Sequence, residues 1–445
     1  MQSVSSAALL ISLVRRFAGV SLMGGGLLSL VSVLAVFQPA LAQGGAGPQP
    51  GARIVVTADD LPEPYATGSA SNPPVRVARP AGATLAVPEG FAVTLFADGL
   101  AHPRWLAVAA NGDVFLAQSS AGLVTLLRDG DGDGVADERQ TFARGLAFPT
   151  GMVIASDHVL VADVNGVWRF PYDPEAPSGG APADGHEAGE RLTPEGALAG
   201  PGGHSTRTLI AAPANHPAAG RLYVTVGSRS NLAEEPPPRA TIQMFGPDGT
   251  ALGTMASGLR NPVGVAFHPA DGSLWTVVNE RDGMGDRLVP DYLTRVEDGA
   301  FYGWPYAWLG DRPQPGMAER RPDLVARTRM PELLFEAHSA PLGLVFYDHA
   351  GSDGFPAEMR GDAFVALHGS WNRSRPVGYT VVRVRFDGAQ PAGGYEVFAS
   401  GFWSGGNSTA HVWGRPAGLA VDRQGGLLVA DDVSGAVWRI AWAGN

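Results

Sequence analysis

The sequence predicts an all-β chain folded as a six-bladed β-propeller, and three observations carry the prediction. From Val87 onward, short apolar runs follow one another, separated by Gly, Asp-Gly and Asn-Gly turns, and sustained helical periodicity is almost absent. Sixty glycines and 36 prolines are spread along the 445 residues, which suits many tight turns. A unit of turn, strand, tight turn and strand then recurs six times.

Taken in order, Arg15 and Arg16 precede an apolar run from about Val20 to Phe37 and an Ala-Leu-Ala before Gln43. This reads as an export signal over residues 1–42, cleaved after Ala42 and placing the protein in the periplasm or outside the cell. The alternative is a retained anchor, for which the run is short and broken by glycine. Residues 43–84, rich in Gly, Ala and Pro, read as a loosely ordered leader. The repeat domain is expected over 85–445, with copies opening at GLAHPRWLAV (99), GLAFPTGMVI (145), GGHSTRTLI (202), GLRNPVGVAF (258), HSAPLGLVF (338) and WGRPAGLAV (413). Most copies are followed by a further strand, so four strands per unit and about 60 residues per unit fit a six-bladed ring. A β-sandwich or two barrels is the competing architecture. FAVTLFA at Phe91 and AVWRIAW at the C-terminus are expected to share one blade. Residues 173–200 and the arginine-rich 310–333 interrupt the repeat, the first as a surface excursion, the second as a lid or a solvated loop.

Composition excludes whole classes of chemistry. There is no cysteine, hence no disulfide, thiolate nucleophile or covalently attached haem. All 32 basic residues are arginine, which removes Schiff-base and P-loop chemistry. The net charge is −11, and −13 once residues 1–42 are removed, so nucleic acid and anionic membranes are poor partners. No membrane span is expected in the mature chain.

In a propeller, the turn before each innermost strand reaches the mouth of the central channel. Alignment of the six turns therefore brings Ala101-His102, Ala147-Phe148, His204-Ser205, Arg260-Asn261, Ser339-Ala340 and Gly414-Arg415 to one region. His204, Arg260, Asn261, His338 and Arg415 form a polar set there that a purely structural turn does not require. Arginines also bridge blades, and that reading stays open for each one singly.

The stretches GLRNPVG (258–264), NERDGMGDRLVPDYL (279–293), AFYGWP (300–305), HGSWNR (368–373) and WGRPAGLAVD (413–422), in this order and spacing, resemble the soluble quinoprotein sugar dehydrogenases. The likeness is greater to their L-sorbosone and aldose sugar dehydrogenase relatives, and it covers most of the chain from about Pro73. It implies a six-bladed propeller using pyrroloquinoline quinone (PQQ) and calcium to oxidise a sugar or sugar aldehyde. It also implies that Arg260 and Asn261 hold the quinone oxygens, and that His204 is the base taking the hydroxyl proton. Arg415 and Arg373 would bind PQQ carboxylates, with Trp371, His368 and His338 in the pocket. Arginine forks suit a tricarboxylate. Where the glucose-oxidising relatives place a lysine this chain has none, which puts glucose in doubt as the substrate. Backbone carbonyls of Arg281, Asp282 and Gly283, with Asp286, are the implied ligands of the catalytic calcium.

A second calcium loop is local. RDGDGDGVADE places Asp129, Asp131, Asp133 and Asp137 at calcium-loop spacing, although position twelve is Gln140 and helical flanks are missing. A simple acidic turn is the alternative, and a structural role is expected either way. His216, after its strand rather than before it, is expected to be an ordinary loop histidine. Two rival functions remain at this stage, a calcium-dependent lactonase or hydrolase of sugar acids and a non-enzymatic binding propeller. As an oxidoreductase without its own haem, the protein would pass electrons to an external cytochrome or quinone.

Overall fold

The computed structural model describes residues 47–349 and 351–444; the expected export signal lies outside them. Within the described residues the protein is almost entirely β, with a single α-helical turn at Pro322–Val325. No described helix is long and apolar enough to cross a membrane.

Among the described residues, six sheets have four or five strands. The first runs through Pro103–Val108, Val114–Gln118, Leu123–Arg128 and Glu138–Ala143; the second starts at Met152–Ile154, the third at Leu209–Ala211, the fourth at Pro262–Phe267 and the fifth at Pro341–Phe346. The sixth runs through Pro416–Val421, Leu427–Asp431 and Ala436–Trp442, and its outer strand is Phe91–Ala97. Phe91 pairs with Trp442, so the first strand of the repeat domain joins the last, as expected. The excursion at 173–200 is less detached than its composition suggests, since its Glu190–Arg191 strand supplies the outer edge of the second sheet.

The second strand of five sheets is buried at every position: VFLAQ, LYVTV, LWTVV, AFVAL and LLVAD. Sheets packed face to face leave no solvent side, so these strands are continuous apolar runs rather than alternating ones. Burial of each valine or leucine there contributes about 1.5–3 kcal/mol.

A recurrent glycine explains how the first strands fit together. Gly151, Gly264, Gly343 and Gly418 each follow a proline by two residues, and a Cβ on any of them would strike the backbone of the next sheet's first strand. For Gly343 the obstacle is Ala417 O at 2.5 Å, and for Gly418 it is Arg104 O at 2.7 Å. At Gly264 it is Leu342 O, and at Gly151 Leu209 N. The ladder skips beside Gly264, Gly343 and Gly418, as at a bulge.

The turns entering these strands are fastened by polar side chains. Ala101 N–H donates to Gln118 Oε1 (2.5 Å), Ala147 N–H to Asp163 Oδ2 (2.9 Å), Ala340 N–H to Asp291 Oδ2 (2.8 Å) and Arg415 N–H to Asp431 Oδ1 (2.8 Å). Buried backbone donors need partners, and the same device meets the need in four sheets.

Residues 47–84 are not a loose leader in the structure. Arg53–Ile54 adds a fifth strand to the fifth sheet, and Val75–Arg76 runs parallel to His411–Val412.

Candidate active site

The first half of the site surrounds the 279–286 loop. Arg260 is buried, and its guanidinium donates to the carbonyls of Glu280 (2.8 Å), Asn279 (3.3 Å) and Asn231 (3.3 Å). Its Nη2 also reaches Asn231 Oδ1 (3.0 Å) and Asp282 Oδ2 (3.4 Å). Asn231 is a residue the motifs miss: its carboxamide brackets the Asp282 backbone, with Nδ2 donating to Asp282 O (2.8 Å) and Oδ1 accepting from Asp282 N–H (2.9 Å). Its place after a second strand was the available signal, since that turn emerges on the same face as the turns before the first strands. Asp282 Oδ1 faces Asn372 Nδ2 and His338 Nδ1, the latter at 3.4 Å. Burial works against the Asp282 charge, but His338, Arg260 and Asn372 outweigh it and hold its carboxyl below the usual range. His338 is raised in turn: burial opposes its charge, and Asp282 with Asp291 prevails.

His204 stands beside this cluster. Its Nδ1–H donates to the Ser228 carbonyl (2.8 Å), which assigns the ring proton to Nδ1 and leaves the Nε2 lone pair free. Burial, aided by the Arg260 charge, pushes its pKa down to about 4, so the ring is neutral near pH 7. Asn261 is also buried, and its Oδ1 has no hydrogen-bond partner.

The second half centres on Asp432, which accepts from Arg104 Nη1 and meets His368 Nε2 at 2.9 Å and His102 Nε2 at 3.6 Å. Burial alone would raise this carboxyl, but His368 and Arg104 hold it far below the usual range. His368 is pushed down to about 3, by burial first and the Arg415 charge second. Arg415 donates to the carbonyls of His368 (2.8 Å) and Gly369 (2.6 Å) and lies over the Tyr379 ring. The two halves meet where His368 N–H donates to Ala340 O (3.0 Å).

The remaining expected residues divide. Trp371 is 50 % exposed. Arg281 sends its side chain into the core, onto Glu280, Gln314 and Ala307, which leaves only its backbone for a ligand role. Gly283, at φ +95°, borders open space. Arg373 turns away toward Glu336 and the Ala337 carbonyl, in a separate cleft of about 350 Å³ beside Ile54 and Leu61. Both Asp286 oxygens accept from Ser374, its N–H at 2.6 Å and its hydroxyl at 2.7 Å.

In the acidic loop, Asp129, Asp131 and Asp137 bring their carboxylates close enough to share a cation, while Asp133 stands outside that group and accepts from Val135 N–H. The loop joins the third and fourth strands of its sheet at the end opposite the mouth. His216 lies in a far-end hairpin too, accepting from Ala218 N–H.

A family model described as TrAA12-like matches residues 85–290 and 320–443. The chain belongs to the TrAA12-like family. The Glucose / Sorbosone dehydrogenase model also matches, over residues 215–370, so the resemblance to soluble PQQ-dependent sugar dehydrogenases is shown in the part that holds Arg260 and the 279–286 loop. Among solved structures, this TrAA12-like chain is similar to the holo PQQ domain of pyranose dehydrogenase from Coprinopsis cinerea, at 21% identity and TM-score 0.64 over 80% of this chain and 97% of that one. It is also similar to the PQQ-bound aldose sugar dehydrogenase of Streptomyces coelicolor, at 16% identity and TM-score 0.54 over 80% and 99% of the two chains. These likenesses establish the propeller fold. Among curated proteins, it is 33% identical over 100 residues to Escherichia coli aldose sugar dehydrogenase YliI, 22% of this chain and 24% of that protein. An uncharacterized protein of Borreliella burgdorferi is 32% identical over 224 residues, 49% of this chain and 57% of that protein. The matches thus span 57% and 24% of those curated relatives.

Proposed function

We propose that this protein is an exported, six-bladed quinoprotein that oxidises a sugar or sugar aldehyde and passes the electrons to an external cytochrome or quinone. The observation that carries this reading is His204, neutral and with Nε2 unencumbered, beside the Arg260–Asp282 cluster at the mouth. The family match and the PQQ-containing neighbours support the cofactor. The residues present fit it as well: Trp371 offers an exposed ring, and Arg415 supplies a cation for a carboxylate.

When bound, PQQ supplies a quinone that accepts hydride, and calcium beside it strengthens that acceptor. His204 Nε2 takes the proton of the sugar hydroxyl as the adjoining carbon gives up hydride, and the Ser228 carbonyl keeps the ring oriented. Arg260 holds the carbonyls of Asn279 and Glu280 and places positive charge near the developing negative charge. Carbonyls of Arg281, Asp282 and Gly283 are the candidate calcium ligands. Arg415, with His368 behind it, is assigned to a PQQ carboxylate, and Trp371 to the ring. Arg373 and Asp286 are left with supporting roles, because their partners lie elsewhere. The Asp129, Asp131 and Asp137 loop is assigned a structural calcium.

Purified apo-protein reconstituted with PQQ and calcium should reduce an artificial dye with at least one member of a panel of aldoses and sugar aldehydes. Dye reduction that needs neither PQQ nor sugar, or none across the panel with PQQ bound, would sink the proposal.

A further inference from the structure

The segment 58–77 precedes the residues matched by the family model, which begin at 85, yet it is tied to the loops of the mouth. Tyr65 N–H donates to Met284 O (2.8 Å), and Thr67 Oγ1 accepts from Asp286 N–H (2.9 Å). The Asp286 carboxylate in turn holds Ser374. From there the connection returns through Asn72, whose Nδ2 donates to the carbonyls of Arg373 (3.0 Å) and Ser374 (3.4 Å) and whose N–H donates to Trp371 O (2.7 Å). Asn72 also binds Ser408 O (2.7 Å) and Thr409 Oγ1 (2.7 Å), ahead of the Val75–Arg76 pairing with His411–Val412 that leads to Arg415. The circuit therefore leaves the segment at Thr67, crosses two loops, and rejoins it at Asn72.

Apolar contacts reinforce these bonds. Ala58 and Leu61 pack on a cluster that contains Met284, Leu288, Val289 and Trp308. Arg312 donates to Ala58 O (3.1 Å), from the 291–319 stretch that the family model also leaves unmatched. The 58–77 segment and a stretch that the TrAA12-like model leaves unmatched thus meet beside the loops expected to hold the cofactor.

We propose that residues 58–77 are a positioning strap of the active site, which fixes the 282–287 and 371–374 loops against each other. What those loops bind rests on the function proposed above; how they are held does not. Loops of this kind lack ladder hydrogen bonds, and ordering them at the moment of cofactor binding would cost conformational entropy that the strap removes beforehand.

The test uses the full chain with Asn72→Ala, Thr67→Val and Thr67→Ser. Amide hydrogen exchange is followed in both loops, and PQQ is titrated in the presence of calcium. In Asn72→Ala and Thr67→Val, loop exchange should rise on the order of tenfold while Leu274–Val278 and Ala363–Leu367 stay protected. PQQ affinity should weaken by about tenfold, and Thr67→Ser, which keeps the acceptor, should restore both. Unchanged loop exchange in folded Asn72→Ala overturns the strap. So does raised exchange with unchanged PQQ affinity. A wild-type chain that fails to bind PQQ refutes the functional reading instead, and the exchange data then decide the strap alone.

Discussion

His204 and Arg260 are neighbours in charge but not in role. The histidine's Nδ1 is tied to a carbonyl, so Nε2 is the free acceptor nitrogen, and burial keeps the ring neutral down to about pH 4. Turnover should therefore hold as pH falls through 6.5 and decline only near pH 4, which a pH–rate profile with a stable cofactor would check. His204→Gln should lower turnover by roughly 10²- to 10⁴-fold with little change in melting temperature, and His216→Gln, at the far end, should do nothing. Arg260 stands differently. Its donors hold the carbonyls of Asn231, Asn279 and Glu280, so Arg260→Ala leaves buried acceptors unpaired as well as removing charge. A loss of roughly 10²- to 10³-fold in rate is expected together with a measurable fall in melting temperature. Arg260→Lys should not rescue it, because one ammonium cannot reproduce the fork. The sequence singles out the arginine in GLRNP as a candidate, and the structure buries it against the Asn279 and Glu280 carbonyls. Those backbone partners are not legible in the sequence, because no motif states which carbonyls a side chain will meet.

At the scale of the element, the inner-strand glycine is a packing requirement. In Gly264→Ala the new methyl would meet the Leu342 carbonyl, and backbone cannot swing aside as a side chain can. Destabilisation of about 1–3 kcal/mol is expected, read as a lower denaturant midpoint. The repeated turn is legible in the sequence, but the reason for a glycine two residues after its proline lies in the neighbouring sheet and so is invisible within one unit. The acidic loop offers a separate check. Calcium should raise the melting temperature of the wild type, Asp131→Asn should abolish much of that rise, and the mutant should keep its turnover because the loop lies at the far end. Apolar runs and turns located the strands well. The order within residues 47–84 is not legible, because Gly, Ala and Pro say nothing of the specific bonds made by Thr67 and Asn72.

For the whole molecule, two part-buried histidines contribute to the response to acid. His204 and His368 bind protons at about 4 and about 3 in the folded chain and near 6.5 when unfolded. The unfolded state thus takes up more protons between these values, so the stability these rings contribute is complete above pH 6.5 and is lost as pH falls toward 4. Urea midpoints measured across that window should decline before the intrinsic rate of the folded enzyme does. The convergence of distant turns on one mouth was legible because the repeat indexes equivalent positions, whereas Asp432 and Arg104 were not, since their importance comes from burial around one shared carboxylate. The reaction proposed for the mouth is a PQQ-dependent sugar oxidation in which His204 takes the proton. Wild type and His204→Gln, each loaded with PQQ and calcium, can be mixed anaerobically with an aldose or sugar aldehyde while cofactor absorbance reports its reduction. Similar PQQ affinity with reduction slowed by roughly 10²- to 10⁴-fold in the variant is the expected result; equal rates in the two, or no reduction in the PQQ-loaded wild type with any sugar, would contradict it.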